Sequence, residues 1–305
     1  MPKLLFSFLL LVLMNLAGCS AQQFYIASME TERSDADLDL KKIKLNFGEL
    51  VYLENSVKDS TAVVLLHGFG GDKDNWNRFS LALDKQHIIV PDLPGHGKSV
   101  ATENLGYSIK HQAEMLNVFL QAKNIHSVHL VGNSMGGAIA LRYAGQYPGK
   151  VKSLVLVDAL GMIKTKSEIV QIFEKTGKNP FFDICTNNAY KRFLDLSMEE
   201  PPYIPDFVLD VLVVEKCQRA ELEKIIFNDM VKDSDLAQVA KKINIPTLII
   251  WGQKDRIIHI DSAHLFHSTI RNSQLVIFDE LGHVPLLEAP AKTARTVDKF
   301  LKNIH

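Results

Sequence analysis

The pattern that decides the fold of this chain is Gly132-Asn133-Ser134-Met135-Gly136. An apolar run at residues 128–131 precedes it, and a run of small residues at 137–141 follows it. This order predicts a strand, a sharp turn and a helix. The flanking glycines allow the strand and helix backbones to approach each other closely, and the N-terminus of the helix favours negative charge beside the serine. The pattern therefore predicts that Ser134 is a nucleophile presented on a tight turn.

An acid and a histidine follow two later apolar runs. Asp255 comes just after a predicted strand at residues 246–252, and His283 follows a predicted strand at 274–278. The carboxyl ends of parallel strands lie at one edge of a sheet, so both side chains are expected to meet Ser134 there. We expect His283 to be the general base and Asp255 to orient its imidazole. Asp158, which follows a predicted strand ending at residue 157, is the alternative acid.

A glycine-rich loop, residues 67–71, follows the apolar run at 62–66. Acyl transfer needs backbone N–H groups that stabilise an oxyanion, and such a loop can supply one of them beside the residue after the nucleophile. The predicted donors are the backbones of Phe69 and Met135. His67 is interpreted as a residue that fixes this loop through hydrogen bonds.

Strands and helices alternate along most of the chain, which predicts an α/β fold with a mostly parallel, eight-stranded sheet flanked by helices. The first two predicted strands, 43–47 and 50–53, form an antiparallel hairpin at the sheet edge, joined by Gly48-Glu49. The other six predicted strands are 62–66, 87–90, 128–131, 154–157, 247–251 and 275–278.

The alternation stops between residues 160 and 240, where helical segments are broken by prolines. This segment is predicted to be an inserted helical cap. Most of its large apolar side chains should pack the cap itself, while a minority line an acyl-chain pocket; Phe181 and Phe207 are the candidates chosen for testing. Cys185 and Cys217 both fall in the cap, and a bridge between them and two free thiols are both compatible with the sequence.

The amino terminus predicts export. Lys3 precedes an apolar run at residues 4–13, which is as long as the core of a signal peptide and too short to span a bilayer. The run leads to Leu16-Ala17-Gly18-Cys19, which resembles a bacterial lipobox and predicts lipid attachment at Cys19. An ordinary signal peptide with an unrelated cysteine is the alternative. Ser20 after the cysteine resembles lipoproteins that are sorted to the outer membrane of the bacterial cell envelope.

These observations divide the chain into five predicted parts: a signal peptide (1–18), a lipid-anchored tether with at most one helix (19–41), the first part of the core (42–159), the cap (160–240) and the second part of the core (241–305). The 305 residues carry a formal net charge of −1, which does not suggest a nucleic-acid-binding surface. No metal-type spacing of cysteine and histidine appears, so neither a metal nor a cofactor is expected. The sequence does not determine the oligomeric state.

From about residue 43 to its end, the chain resembles the α/β-hydrolase superfamily, and within it the monoacylglycerol-lipase-like branch and similar bacterial lipases and esterases. The matching landmarks are 66–69, 91–99, 132–136, 251–255 and 282–283. The resemblance implies a serine hydrolase that cleaves monoacylglycerols or other short- to medium-chain acyl esters. Asn133 also matches the elbow of the meta-cleavage C–C bond hydrolases, so that activity stays open. A non-catalytic envelope binding protein on the same fold is the third hypothesis.

Overall fold

In the computed structural model of the protein, the described residues are 20–58, 60–83 and 85–304. Eight strands form one sheet in the order β1-β2-β4-β3-β5-β6-β7-β8. Pairing is antiparallel between β1 and β2 and between β2 and β4, and parallel elsewhere. The prediction of a mostly parallel, eight-stranded sheet is therefore confirmed. The strands are β1 Asp39–Leu45, β2 Gly48–Glu54, β3 Ala62–Leu66, β4 Ile88–Pro91, β5 Val128–Asn133, β6 Val151–Val157, β7 Thr247–Gly252 and β8 Ser273–Phe278.

Both faces of the sheet are covered. In β3, Val64 and Leu66 join one apolar cluster while Val63 and Leu65 join another, because successive side chains of a strand point to opposite faces. Every residue of β3 is buried for this reason. Burial on both faces also explains why the central strands are nearly continuous apolar runs instead of alternating patterns.

Helices and short helical turns connect the strands and form the two outer layers. The α-helices are α1 Ala21–Asp35, α2 Asn77–Ser80, α3 Ile109–Ala122, α4 Met135–Gln146, α5 Glu168–Thr176, α6 Asn187–Ser197, α7 Asp206–Lys232, α8 Ala237–Ala240, α9 Asp261–Thr269, α10 Pro285–Glu288 and α11 Pro290–Leu301. Side chains of α3 and α4 belong to the first apolar cluster, and those of α2 and α11 belong to the second. The sheet therefore lies between two helical layers.

The first hairpin differs from the prediction in its turn. Leu45 pairs with Gly48, so the turn is formed by Asn46 and Phe47 instead of Gly48-Glu49. Gly48 has a φ of +134° and starts β2, where a side chain would overlap Val100. The glycine is thus required by a close approach from another loop. Of the two hairpin strands, β1 lies at the sheet edge and β2 does not, because β2 also pairs with β4.

Between β6 and β7 the described residues form helices α5 to α8 and no strand. This segment has an apolar cluster of its own, made of Ile184, Tyr190, Leu209 and Val213. Cys185 and Cys217 form a disulfide that joins the segment before α6 to the middle of α7. A bridge of this loop length stabilises a fold by about 2–4 kcal/mol. Of the two cysteine states that the sequence allowed, the structure contains the bridge.

The segment predicted as a tether with at most one helix contains one helix, α1, which packs against the rest of the protein. Ser20 caps α1 in a reciprocal capping box, and α1 packs along α7. Arg33 donates two hydrogen bonds of 2.7 Å to the carboxylate of Asp74, in the short helical turn after the glycine-rich loop. The bidentate ion pair fixes α1 on the core. Among the helices that the structure describes, none combines the length and the apolar character needed to cross a membrane.

Candidate active site

Ser134 lies on the sharp turn between β5 and α4. Its φ of 52° is in the left-handed region, which costs a residue with a side chain about 1–3 kcal/mol and persists only where the surroundings enforce it. Two hydrogen bonds do so. The Ser134 N–H donates to Val157 O (3.0 Å), and the Ser134 carbonyl accepts from Leu160 N–H (3.0 Å). The end of β6 and the loop after it therefore hold the serine in its strained conformation.

The glycines of the pattern are explained by close backbone contacts. A Cβ atom on Gly132 would overlap the carbonyl of Gly136, and one on Gly136 would overlap the carbonyl of Leu66 at the end of β3. Gly68 in the glycine-rich loop is also tightly placed, since its Cβ would lie 3.3 Å from Ser134 Cβ. The spacing G-x-S-x-G is thus a packing requirement that brings the loop after β3 against the serine.

Asp255 and His283 meet at the same edge of the sheet. His283 Nδ1 lies 2.7 Å from Asp255 Oδ2, and both residues are buried. The other oxygen, Asp255 Oδ1, accepts from the backbone N–H groups of Ile257 (2.8 Å) and Ile258 (2.9 Å). These donors orient the carboxylate, and the carboxylate in turn orients the imidazole so that Nδ1 carries the proton and Nε2 is free to accept one.

In the sequence, Asn133 left both ester hydrolysis and C–C bond hydrolysis open, and in the structure its side chain makes hydrogen bonds in this site. Its Nδ2 donates to Val157 O (3.1 Å) and to His283 O (3.2 Å). The amide therefore connects the serine turn to the end of β6 and to the histidine loop. The His283 N–H is held from the cap side by Ser197 O (2.8 Å).

The alternative acid, Asp158, lies close by but bonds elsewhere. Its Oδ1 accepts from Gly252 N–H (2.9 Å) at the end of β7, and the side chain is fully buried. One ligand atom each from Asp158, Asp255 and His283 lies within 4.8 Å of the others; these are the described residues that could hold a metal ion. Asp255 and His283 already satisfy each other by hydrogen bonding, so the group does not need an ion.

The predicted oxyanion donors belong to the two segments that meet at Ser134, the start of α4 and the glycine-rich loop. Met135 is the first residue of α4, where a backbone N–H has no acceptor in its own helix. Phe69 follows Gly68, in a loop that the Gly71 N–H···Gly68 O bond (3.2 Å) turns. His67 braces the same loop, since its Nδ1 donates to Gly68 O (2.8 Å) and its Nε2 accepts from Leu93 N–H (3.0 Å). Burial lowers the pKa of His67 to about 4, so this histidine is neutral at pH 7.

Aromatic rings of the cap contact Phe69 in the glycine-rich loop. The ring of Phe69 contacts those of Phe181 (5.5 Å between centroids), Phe227 (5.6 Å) and Phe182 (6.3 Å), mostly edge to face. Phe207, the other residue named for testing, has its ring contact elsewhere. Its ring packs against Phe24 of α1, at 5.2 Å, because α1 occupies that side of α7.

Charged side chains of α7 also hold the loops around the serine, and sequence reasoning missed them. Lys216 donates to Gly70 O and pairs with the buried Glu223 (3.1 Å), while Arg219 donates to Gly95 O. Their spacing of three and four residues places all three on one face of a helix, and that pattern was visible in the sequence. Cys19, the predicted lipidation site, lies outside the described residues.

Comparison with known proteins identifies the family of the chain. The sequence model of the alpha/beta hydrolase fold family matches residues 61–290. Lipase 1 of Psychrobacter immobilis is 35% identical over 297 residues, covering 94% of this chain and 93% of the lipase. Human monoacylglycerol lipase ABHD6 is 30% identical over 257 residues, covering 80% and 76%.

Among solved structures, a bacterial membrane phospholipase A described as a virulence factor superposes with a TM-score of 0.90. Its sequence is 31% identical, and the match covers 100% of this chain and 99% of the phospholipase. The family match spans most of the chain, the two named lipases are similar to it in sequence, and the phospholipase is similar in both sequence and fold. The chain therefore belongs to the α/β-hydrolase family, in which it is an ester-hydrolysing enzyme of the lipase and esterase type.

Proposed function

We propose that the chain is a serine carboxylic-ester hydrolase that acts on monoacylglycerols or other short- to medium-chain acyl esters through an acyl-enzyme intermediate. The observation that carries the proposal is the buried hydrogen bond of 2.7 Å between His283 Nδ1 and Asp255 Oδ2, at the sheet edge that also bears the strained Ser134. A nucleophile, a base and a residue that orients the base are the parts that serine acyl transfer requires.

The reaction follows from the roles of these groups. Ser134 Oγ attacks the ester carbonyl while His283 Nε2 takes its proton, and Asp255 stabilises the imidazolium that forms. The backbone N–H groups of Phe69 and Met135 receive the oxyanion. His283 then gives its proton to the leaving alcohol. A water molecule, activated by the same histidine, hydrolyses the acyl-enzyme and releases the acid.

The apolar surroundings favour an acyl substrate. Phe69 of the glycine-rich loop and Phe181, Phe182 and Phe227 of the cap form a continuous aromatic cluster. Such a surface suits a hydrocarbon chain better than a polar acid. The names of the similar proteins, a lipase, a monoacylglycerol lipase and a phospholipase A, point to the same class of substrate.

A substrate panel tests this proposal. The purified protein is assayed with p-nitrophenyl esters of graded chain length, with a monoacylglycerol, with a phospholipid and with a ring-cleavage dienone. We expect turnover of the p-nitrophenyl esters and the monoacylglycerol. Turnover of the dienone alone would replace the proposal by C–C bond hydrolysis, and no turnover of any substrate would favour a binding protein.

Substitutions in the aromatic cluster should change the preferred chain length. We expect Phe181→Ala or Phe227→Ala to shift the optimum, while kcat on an acetate ester stays within about tenfold of wild type. Each methylene of lost contact is worth about 0.8 kcal/mol, so neighbouring chain lengths should differ only several-fold in kcat/KM. The chain-length profile is measured with the graded esters.

Phe207→Ala is the matched control, because it removes the same ring from α7 at its contact with Phe24. Loss of a buried aromatic can cost about 3–5 kcal/mol, so thermal melts accompany each profile. If folded Phe181 and Phe227 variants keep the wild-type profile, the acyl chain binds elsewhere and the role of the cluster is refuted.

We also propose that Cys19 carries lipid and holds the enzyme at a membrane of the bacterial envelope. Ser20 after the cysteine favours the outer membrane. The support is the sequence Leu16-Ala17-Gly18-Cys19 and the position of α1, which begins two residues after the cysteine. With α1 fixed to the core by Arg33, an anchor at Cys19 would hold the catalytic body close to the lipid surface.

Metabolic labelling with a palmitate analogue checks this. We expect the wild type to be labelled and to fractionate with membranes, and Cys19→Ser to be unlabelled. The double variant Cys185→Ser/Cys217→Ser controls for acylation of the other cysteines and should keep the label. An unlabelled wild type in the soluble fraction would refute lipidation.

A further inference from the structure

Asp158 is a buried carboxyl group that the proposed reaction does not use. It follows β6 with a φ of +45°, in the left-handed region, and is fully shielded from solvent. Its backbone N–H donates to Ile250 O (3.0 Å), and its Oδ1 accepts from Gly252 N–H (2.9 Å). Both bonds aim the side chain at the end of β7, three residues before Asp255.

The second oxygen of this side chain has no hydrogen-bond donor in the described part of the protein. Asp158 Oδ2 is buried and unpaired, which is costly for an ionised carboxylate. The neighbouring carboxyl group is that of Asp255, and the two side chains have oxygens within 4.8 Å of each other. Two carboxylates this close in a dry environment cannot both be ionised, so one of them holds a proton.

The hydrogen-bond donors around the two carboxyl groups decide which of them holds the proton. Asp255 receives three donors, from Ile257 N–H, Ile258 N–H and His283 Nδ1, whereas Asp158 receives one. Donors stabilise the ionised form, so the charge belongs on Asp255. Burial, together with the negative charge of Asp255, raises the pKa of Asp158 well above its usual range.

We propose that Asp158 is a positioning residue that stays protonated at neutral pH and donates a hydrogen bond from Oδ2 to the carboxylate of Asp255. This donor gives the unpaired oxygen a partner and moderates the negative charge that His283 experiences. The inference rests on the proposed triad and adds a fourth side chain to it. The titratable groups around Asp158 are Asp255 after β7, His283 after β8 and Glu288 in α10.

Two substitutions separate the proton from the shape of the side chain. Asp158→Asn is the neutral mimic, because its amide nitrogen can donate to Asp255 while its oxygen accepts from Gly252. We expect kcat/KM within about threefold of wild type and an unchanged acidic limb of the pH profile. Asp158→Leu keeps the branching at Cγ but removes the donor, and should lower kcat roughly 10- to 100-fold, the effect of one hydrogen bond to a charged group.

The pH profile distinguishes positioning from a merely structural role. Without the donor, the full charge of Asp255 favours the imidazolium, so the acidic limb of Asp158→Leu should move to higher pH. If Asp158 were instead ionised in the wild type, Asp158→Asn would remove a negative charge and move that limb to lower pH by about one unit or more. That shift in Asp158→Asn, or a wild-type rate and profile in Asp158→Leu, overturns the proposal.

The rate of Ser134 modification by a fluorophosphonate, measured against pH, supplies the profile independently of the natural substrate. Asp233→Asn is the matched control, since Asp233 accepts from Ile109 and Lys110 N–H (both 2.8 Å) at the start of α3. It should keep the wild-type profile. If the wild type is not labelled at Ser134, the proposed function fails; if it is labelled and the Asp158→Asn limb shifts, only this inference fails. Should Asp158→Leu not fold, the Asp158→Asn profile decides alone.

Discussion

Replacing Ser134 with alanine should lower kcat by about 10⁴- to 10⁶-fold. Without the nucleophile no acyl-enzyme forms, and the remaining acceleration comes only from the oxyanion donors and from substrate binding. The measurement is hydrolysis of a short p-nitrophenyl ester by the purified variant. A fluorophosphonate probe should modify the wild type at Ser134 and leave the variant unmodified, as read by peptide mapping.

Ser153→Ala is a matched control for this substitution. Ser153 is fully buried in β6, and its hydroxyl lies 2.7 Å from His129 Nδ1, away from the triad residues. We expect that variant to keep its activity. Thermal melts should show that both alanine variants are folded. Activity near the wild-type level in Ser134→Ala, or a probe adduct on another residue, would remove the basis of the proposed mechanism.

Replacing Asp255 with asparagine should lower kcat by up to about 10⁴-fold while the protein stays folded. An amide in this place can donate to the imidazole, so His283 Nδ1 becomes the acceptor and Nε2 carries the proton. A histidine in that tautomer cannot take the proton of Ser134. The measurement is kcat on the same ester, together with the rate of fluorophosphonate labelling, which should fall in parallel.

Asp158→Asn is the natural comparison, because it makes the same chemical change at the neighbouring carboxyl group. We expect it to cost far less than Asp255→Asn, since Asp158 makes no hydrogen bond to His283 among the contacts of the described residues. A reversed order of the two variants would assign the acid to β6 and would contradict the Asp255–His283 pairing.

The order of the elements and the candidate triad could be predicted from local pattern. Strands that are buried on both faces must be apolar throughout, and the turn at Ser134 must have small flanking residues, so both leave a mark in the sequence. The turn between β1 and β2 lies at Asn46 and Phe47, two residues before the position that the glycine pattern predicts. Gly48 has the marks of a turn residue, but it is needed because Val100 packs against its backbone.

The sequence by itself determined the α/β-hydrolase fold. It also identified Ser134, Asp255 and His283 as candidate catalytic residues, each following a strand that ends at the same edge of the sheet. The tertiary structure alone decided which long-range pairs form. It decided that Cys185 bonds Cys217, that Phe227 contacts Phe69 while Phe207 contacts Phe24, and that Asp158 lies beside Asp255. These contacts depend on how α7 and the loops after β6 and β7 pack in three dimensions, and no local periodicity records that packing.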